Sequence, residues 1–80
     1  MAHLHLIIKG NRRDALAAAK QYGITLWYPQ TNRRNKSETN ATCGDEYRDQ
    51  VMRWFNEEPR EAPYPVGALL HWSDSKGETP

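Results

Sequence analysis

The feature that most constrains the fold is the alternation of side chains over residues 3–9. Side chains two positions apart project from the same face of a strand, so this segment divides into two sets. The set that we expect to face the core is aliphatic and comprises Leu4, Leu6 and Ile8. The set that we expect on the opposite face comprises His3, His5 and Ile7. The segment therefore predicts a strand, central in its sheet, with one buried face.

A helix is predicted directly after this strand. Gly10 allows a turn, and Asn11 is a favourable N-cap with Asp14 three positions later. The helix should extend to about Tyr22, because Gly23 suits the position just after a helix end.

A second strand is predicted over residues 24–28, which are mostly β-branched or aromatic, and Pro29 should end it. Because tight connections join strand, helix and strand, we expect a βαβ unit whose two strands are parallel neighbours. Residues 30–43 are polar and show no apolar period, which predicts a long loop.

A second helix is predicted from Asp45 to about Asn56, because large apolar side chains recur there at helical spacing. The expected core face of this helix comprises Tyr47, Val51, Trp54 and Phe55. Prolines then make residues 58–66 an extended connector. Residues 67–72 predict a third strand, and residues 73–80 a flexible polar tail.

These elements predict one small α/β (α+β) domain over residues 1–72, in the order βαβαβ. Two helices would cover one face of a three-stranded sheet. That arrangement resembles a truncated ferredoxin-like domain.

Composition excludes several classes of protein. The chain has 80 residues and a single cysteine, Cys43, which excludes an internal disulfide and a site built from several cysteines. No apolar run approaches the roughly 18 residues of a membrane span. The first residues also lack the pattern of a secretory signal. We therefore expect a protein that is neither secreted nor associated with a membrane.

No arrangement of residues supports catalysis. Cys43 has no histidine near it in the sequence, and neither a Ser-His-Asp set nor an enclosed carboxylate pair can be argued. The alternation of strand residues could bring His3, His5 and His71 together as zinc ligands, but no acidic residues are placed to support them. We predict a protein that is not an enzyme, with no catalytic residue, no metal site and no cofactor.

Charge is distributed unevenly along the chain. Residues 1–36 carry seven Lys and Arg against one Asp, and residues 37–80 carry four against nine acids, so the halves have net charges of +6 and −5. Each half could bind a partner of opposite charge, or the two could neutralise each other in the fold. The basic candidates for binding nucleic acid are Lys9, Arg12, Arg13, Arg33, Arg34 and Lys36. The acidic candidates for binding a protein are Asp45, Glu46, Asp49, Glu57 and Glu58, with Trp27 and Tyr64 as aromatic anchors.

The sheet face away from the helices offers another candidate surface. We expect His5 and Trp27 there, where bases could stack as they do on sheet-based RNA binders, although the aromatic signature of ribonucleoprotein domains is absent. The same face could instead form the contact of a homodimer. Both alternatives remain open from the sequence.

A compact chain with charged faces, exposed aromatic side chains and no active site resembles, in format, the anti-CRISPR proteins of phages and mobile elements. The resemblance spans the whole chain and rests on no motif, so it assigns no role to any residue. It implies a non-enzymatic inhibitor, a monomer or homodimer in the cytoplasm of a bacterial host cell. The implied partner is a CRISPR surveillance complex, whose access to target DNA the protein would block. On that interpretation, we predict that the acidic residues contact the partner. The alternative prediction is a small nucleic-acid-binding protein that uses the basic half.

Overall fold

A computed structural model of the chain describes residues 2–57 and 63–74. The elements in these residues are β1 (His3–Lys9), α1 (Arg12–Gln21), β2 (Trp27–Thr31), β3 (Glu38–Gly44), a 3-10 turn (Asp45–Tyr47), α2 (Arg48–Glu57) and β4 (Leu69–Asp74). In this part of the chain, therefore, the element order is βαββαβ.

The described strands form one antiparallel sheet in the order β2-β3-β1-β4. β1 is central, as predicted, and pairs with β3 on one side and β4 on the other. Together, the element order and the strand order correspond to the split βαβ arrangement of ferredoxin-like domains. The α+β class is confirmed, but the prediction of three strands and a truncated arrangement is wrong.

β3 is the element that the sequence analysis missed, because it lies inside the predicted loop 30–43. Thr39, Ala41 and Cys43 project from β3 into the core and are each at most 5% exposed. These side chains are small, and one carries a hydroxyl, so they show no apolar period although they alternate as a strand requires. Because β3 separates them, β1 and β2 are parallel but are not neighbours.

β2 runs from Trp27 to Thr31 and passes through Pro29, which was expected to end the strand. Proline is tolerated there because β2 lies at an edge of the sheet, where one side of the strand needs no hydrogen-bond donor. Ile24 and Leu26 belong to the predicted strand but precede the observed one, and both are buried in the core.

α1 confirms the predicted capping. The Asn11 side chain accepts a hydrogen bond from the backbone N–H of Asp14 at 3.0 Å, and the Asp14 carboxylate accepts one from the N–H of Asn11 at 3.4 Å. Gly23 follows the helix with a φ of 72°, a conformation that glycine adopts without strain. α2 starts at Arg48 rather than Asp45, because the 3-10 turn comes first.

Both helices pack on the same face of the sheet, as predicted. The side chains that are almost completely buried between the helices and the sheet are Leu4, Leu6, Ile8, Ala15, Ala19, Val51, Trp54 and Leu69. The Trp54 indole N–H donates a hydrogen bond to the Gly67 carbonyl at 3.2 Å, and the Tyr22 ring stacks on Trp54 at 5.5 Å. Trp54 thus joins α2, the end of α1 and the segment before β4.

β4 spans Leu69–Asp74 rather than 67–72, so the first two residues of the predicted tail belong to the sheet. The Arg48 guanidinium bonds to Asp45 at 2.5 Å and also to Asp74, which ties the end of β4 to the start of α2. Residues 58–62 of the predicted connector and residues 75–80 of the predicted tail lie outside the described residues. Neither described helix has the length and apolar character needed to cross a membrane.

Candidate functional site

The strand register separates the two charged groups of residues along the sheet. Lys9 pairs with Glu38 at one end of β1, and His3 pairs with Gly44 at the other end. The six residue steps between these pairs correspond to about 20 Å of strand. The β1–α1 and β2–β3 connections leave the sheet at the Lys9 end, whereas the 3-10 turn and the start of α2 follow Gly44.

Two contacts join the segments that carry the predicted basic residues. The Gly10 N–H donates to the Ser37 carbonyl at 2.5 Å, and the Arg12 N–H donates to the Thr31 hydroxyl at 2.9 Å. The fold thereby gathers the basic candidates at one end of the sheet, which we call the basic end: Lys9, Arg12, Arg13, Arg33, Arg34 and Lys36. Five of these six side chains are exposed, and Lys9 is half-buried.

The tip of the β2–β3 hairpin is held by asparagine side chains. The Asn32 side chain accepts a hydrogen bond from the Arg34 N–H at 2.9 Å, and the Asn35 side chain accepts one from the Ser37 N–H at 3.1 Å. Side chains that bond to the backbone two residues ahead stabilise tight turns. The exposed cations of this tip therefore stand on an ordered turn.

The first turn of α1 adds two positive charges at the positive end of the helix dipole. Arg12 and Arg13 occupy the first turn, where the partial positive charge of the helix makes each cation unfavourable by about 0.3–1 kcal/mol. The backbone N–H groups of Asn11, Arg12 and Asp14 are already bonded within the protein. An anion bound at this end would therefore contact mainly the side chains, and it would relieve their repulsion from the helix.

A bulge in β2 brings two neighbouring aromatic residues to the same side of the sheet. The pairing of β2 with β3 shifts between Trp27 and Gln30, and Tyr28 has a φ of 52°, which is uncommon for a bulky residue. In a regular strand, adjacent side chains would point to opposite faces. Here Trp27 and Tyr28 line one depression together, and they are 40% and 83% exposed. Strained backbone of this kind is often found at binding sites.

Three shallow depressions adjoin one another, through shared lining residues, on the sheet face away from the helices. The first is lined by Trp27 and Tyr28, and the second by residues that include Tyr28, His5, Gln30 and Asn40. The third is lined by Gln30, Thr31, Asn32, Arg33, Arg34 and Asn40. Since Tyr28 is shared by the first two and Gln30 and Asn40 by the last two, we call the whole the open-face groove. It runs from exposed aromatic rings to the basic end.

Two of the acidic candidates form ion pairs with arginines of α2. Asp45 is paired with Arg48, and the hydrogen bonds that the Arg48 guanidinium donates to Asp74 and to Asp45 raise its pKa further. Glu57 lies 3.6 Å from the Nε of Arg53.

Two acidic candidates are less engaged than these. Glu46 and Asp49 are exposed, and neither forms an ion pair with a cation of the described residues. Glu58 lies outside the described residues, and the candidate anchor Tyr64 is half-buried. Within the described part of the chain, Glu46 and Asp49 are therefore the only predicted acidic residues that are both exposed and without an ion pair.

The Cys43 thiol is buried, and two of the histidines contact each other on β1. Burial raises the pKa of the Cys43 thiol to about 11, helped by the charges of Glu46 and Asp45, so the thiol is neutral near pH 7. The rings of His3 and His5 meet edge to face at 4.9 Å. In residues 2–57 and 63–74, no three His, Cys, Asp or Glu side chains are grouped to hold a metal ion.

Comparisons with known protein families, with curated proteins and with solved structures give no match for this chain. The interpretation of the site therefore depends on its own geometry. Sequence analysis found the cations and Trp27 but missed Tyr28, Gln30 and Asn40 as groove residues. The alternation of Thr39, Ala41 and Cys43 would have located β3, and with it Asn40, although nothing in the sequence marks the bulge at Tyr28.

Proposed function

We propose that this protein is a non-enzymatic binding protein that holds a short single strand of nucleic acid in the open-face groove. The observation that carries the proposal is the series of adjoining depressions that leads from the exposed rings of Trp27 and Tyr28 to Arg33 and Arg34. A single strand carries bases and phosphates side by side along its length. The groove offers aromatic rings that could stack on the bases and, next to them, cations that could bind the phosphates.

The aromatic part of the groove suits unpaired bases. Tyr28 is 83% exposed and Trp27 is 40% exposed, so both rings have area available for stacking. Stacking of a base on an aromatic side chain contributes about 1–3 kcal/mol and does not require a particular base. A duplex hides the faces of its bases within the helical stack, so the aromatic part of the groove favours single strands.

The basic end suits the phosphates of the same strand. Arg33 and Arg34 line the end of the groove, and the contacts from Gly10 and Arg12 place the first turn of α1 beside them. Binding of phosphates by Lys and Arg releases counterions, so affinity should fall steeply as salt rises.

Removal of the Tyr28 ring should weaken binding without unfolding the protein. Because the ring is largely exposed, Tyr28→Ala loses stacking but little core packing. We expect its Kd for a labelled nine-nucleotide dT strand, measured by fluorescence anisotropy in low salt, to rise about 5- to 100-fold. Tyr28→Phe keeps the ring and should bind within about twofold of the unchanged protein. Equal affinities of Tyr28→Ala and the unchanged protein would remove the aromatic part of the proposal.

A second candidate is inhibition of a bacterial protein complex, of the anti-CRISPR kind suggested by the format of the chain. The observation that favours it is the exposure of Glu46 in the 3-10 turn and of Asp49 in the first turn of α2. Both follow the end of β3 that lies away from the basic end. Carboxylates at fixed positions on a helix could enter a basic groove that normally receives nucleic acid.

Charge reversal at these two positions tests the second candidate. We expect the tagged protein to recover a CRISPR surveillance complex from a bacterial lysate, and Glu46→Lys with Asp49→Lys to abolish that recovery. Glu46→Gln with Asp49→Asn is the control that removes charge without reversing it, and it should weaken recovery less. Asp45 is left unchanged because its bond to Arg48 supports the fold. Recovery that survives the reversal would rule out the acidic surface.

A further inference from the structure

Two carboxamide side chains lie side by side in the middle of the open-face groove. Gln30 of β2 and Asn40 of β3 are direct partners in the strand register, and both line the second and third depressions. Side chains at such paired positions have their Cβ atoms about 4.5–5.5 Å apart. They lie between Tyr28 and the arginines of the basic end.

These two carboxamides differ from the other asparagines near the basic end. Asn11, Asn32 and Asn35 each accept a hydrogen bond from a nearby backbone N–H, which fixes a cap or a turn. Within the described residues, no hydrogen bond of this kind engages the side chain of Gln30 or Asn40. Their donors and acceptors are available to a ligand in the groove.

A carboxamide presents one acceptor oxygen beside one donor NH₂ group. The adenine edge formed by N6–H₂ and N7 offers one donor beside one acceptor, and a carboxamide matches both. The corresponding guanine edge offers two acceptors, O6 and N7, so the carboxamide oxygen would face an acceptor there. A purine would also cover more of the Tyr28 ring than a pyrimidine.

We infer that Gln30 and Asn40 read one base in the groove through the edge that carries N7, and that the preferred base is therefore adenine. The inference deepens the proposed function and depends on it, since it assigns a base preference to the same groove. Tyr28 would hold the base by stacking, the carboxamides would bond its edge, and Arg33 and Arg34 would contact the adjoining phosphates. Stacking and charge act on any sequence, whereas the carboxamides distinguish one base from another.

The test uses nine-nucleotide dT strands whose central base is T, A, C or G, with binding measured by fluorescence anisotropy. We expect the strand with central A to bind about 5- to 100-fold more tightly than the strand with central G. Gln30→Ala with Asn40→Ala should lose this preference and bind the strands with central A and central G with equal affinity. Asn56→Ala with Gln50→Ala, which changes the same residue types on α2, should keep both affinity and preference.

The outcomes separate the inference from the proposed function. Binding of all four strands with equal affinity would overturn the adenine preference and leave the groove as a general binder. A preference that persists in Gln30→Ala with Asn40→Ala would assign the reading of the base to other residues. Failure of every strand to bind at low salt would overturn the proposed function itself.

Discussion

Replacement of Arg33 and Arg34 by alanine should weaken binding of single-stranded nucleic acid about 10- to 100-fold at low salt. Both arginines line the end of the open-face groove, on a turn held by Asn32. A hydrogen bond to a charged group contributes about 1.5–3 kcal/mol net, and exposure to solvent reduces that contribution. The measurement is the Kd of a labelled dT strand as a function of salt concentration.

The salt dependence gives a second result from the same titration. Each phosphate neutralised on a single strand adds about 0.7 to the slope of log K against log salt. Loss of two contacts should therefore reduce the slope by about 1.4.

A matched control separates local contact from overall charge. Lys20→Ala with Arg53→Ala removes the same number of positive charges, but Lys20 is on α1 and Arg53 lies over the Tyr22 ring, on the helix side of the sheet. At the 0.1 M point of the salt titration, we expect this control to lose less than about threefold in affinity, since long-range charge is screened there within about 10 Å. An equal loss in both variants would mean that net charge, rather than the groove, drives binding.

Trp54→Ala should remove a large part of the stability of the fold. Trp54 is 0% exposed, and its indole N–H donates to the Gly67 carbonyl in the core. Truncation of a buried tryptophan costs about 3–5 kcal/mol, and a domain of this size has only about 4–12 kcal/mol in total. At roughly 4–8 °C per kcal/mol, we expect the Tm in thermal unfolding followed by circular dichroism to fall by about 15 °C or more.

Two other substitutions identify the cause of that loss. Trp27→Ala is the same change at a site that is 40% exposed, and it should cost less than half as much stability. Trp54→Phe keeps a ring but leaves the Gly67 carbonyl without its donor, which costs about 1–3 kcal/mol. If Trp54→Ala unfolded at the same temperature as Trp27→Ala, the packing described for α2 would be wrong.

The parts of the fold that the sequence predicted are those with a strong local pattern. Leu4, Leu6 and Ile8 recur at every second position, which is the pattern of a strand with one buried face. Asn11 and Asp14 form a capping box, which their residue types and their spacing of three are enough to predict. The boundaries of β4 lie two residues later than predicted, because β4 pairs with β1 as far as Asp74 opposite Leu4, and local sequence does not reveal that pairing.

β3 was missed for a physical reason. Its inward side chains are those of Thr39, Ala41 and Cys43, and none is large enough to mark a strand by hydrophobicity. The Thr39 hydroxyl is buried because it donates to the Gly10 carbonyl at 2.8 Å, a partner 29 residues away. Such a long-range bond makes a polar side chain suitable for the core, and it cannot be inferred from neighbouring residues.

The candidate site was predicted in parts but not as a whole. The sequence identified the cations and Trp27 separately, and only the strand order and the Gly10 and Arg12 contacts bring the two basic segments together. The exposure of Tyr28 on the open face depends on a backbone with a φ of 52°, which local propensity does not favour.

The most direct test of the groove is an NMR titration of the ¹⁵N-labelled protein with a nine-nucleotide dT strand carrying a central A, at low salt. We expect the largest amide shifts in β2, in the β2–β3 tip that carries Arg33 and Arg34, and at Asn40, with a clear shift of the Trp27 indole N–H and little change at the Trp54 indole. Shifts confined to the start of α2 around Glu46 and Asp49, or no shifts at any strand concentration, would contradict binding in the open-face groove.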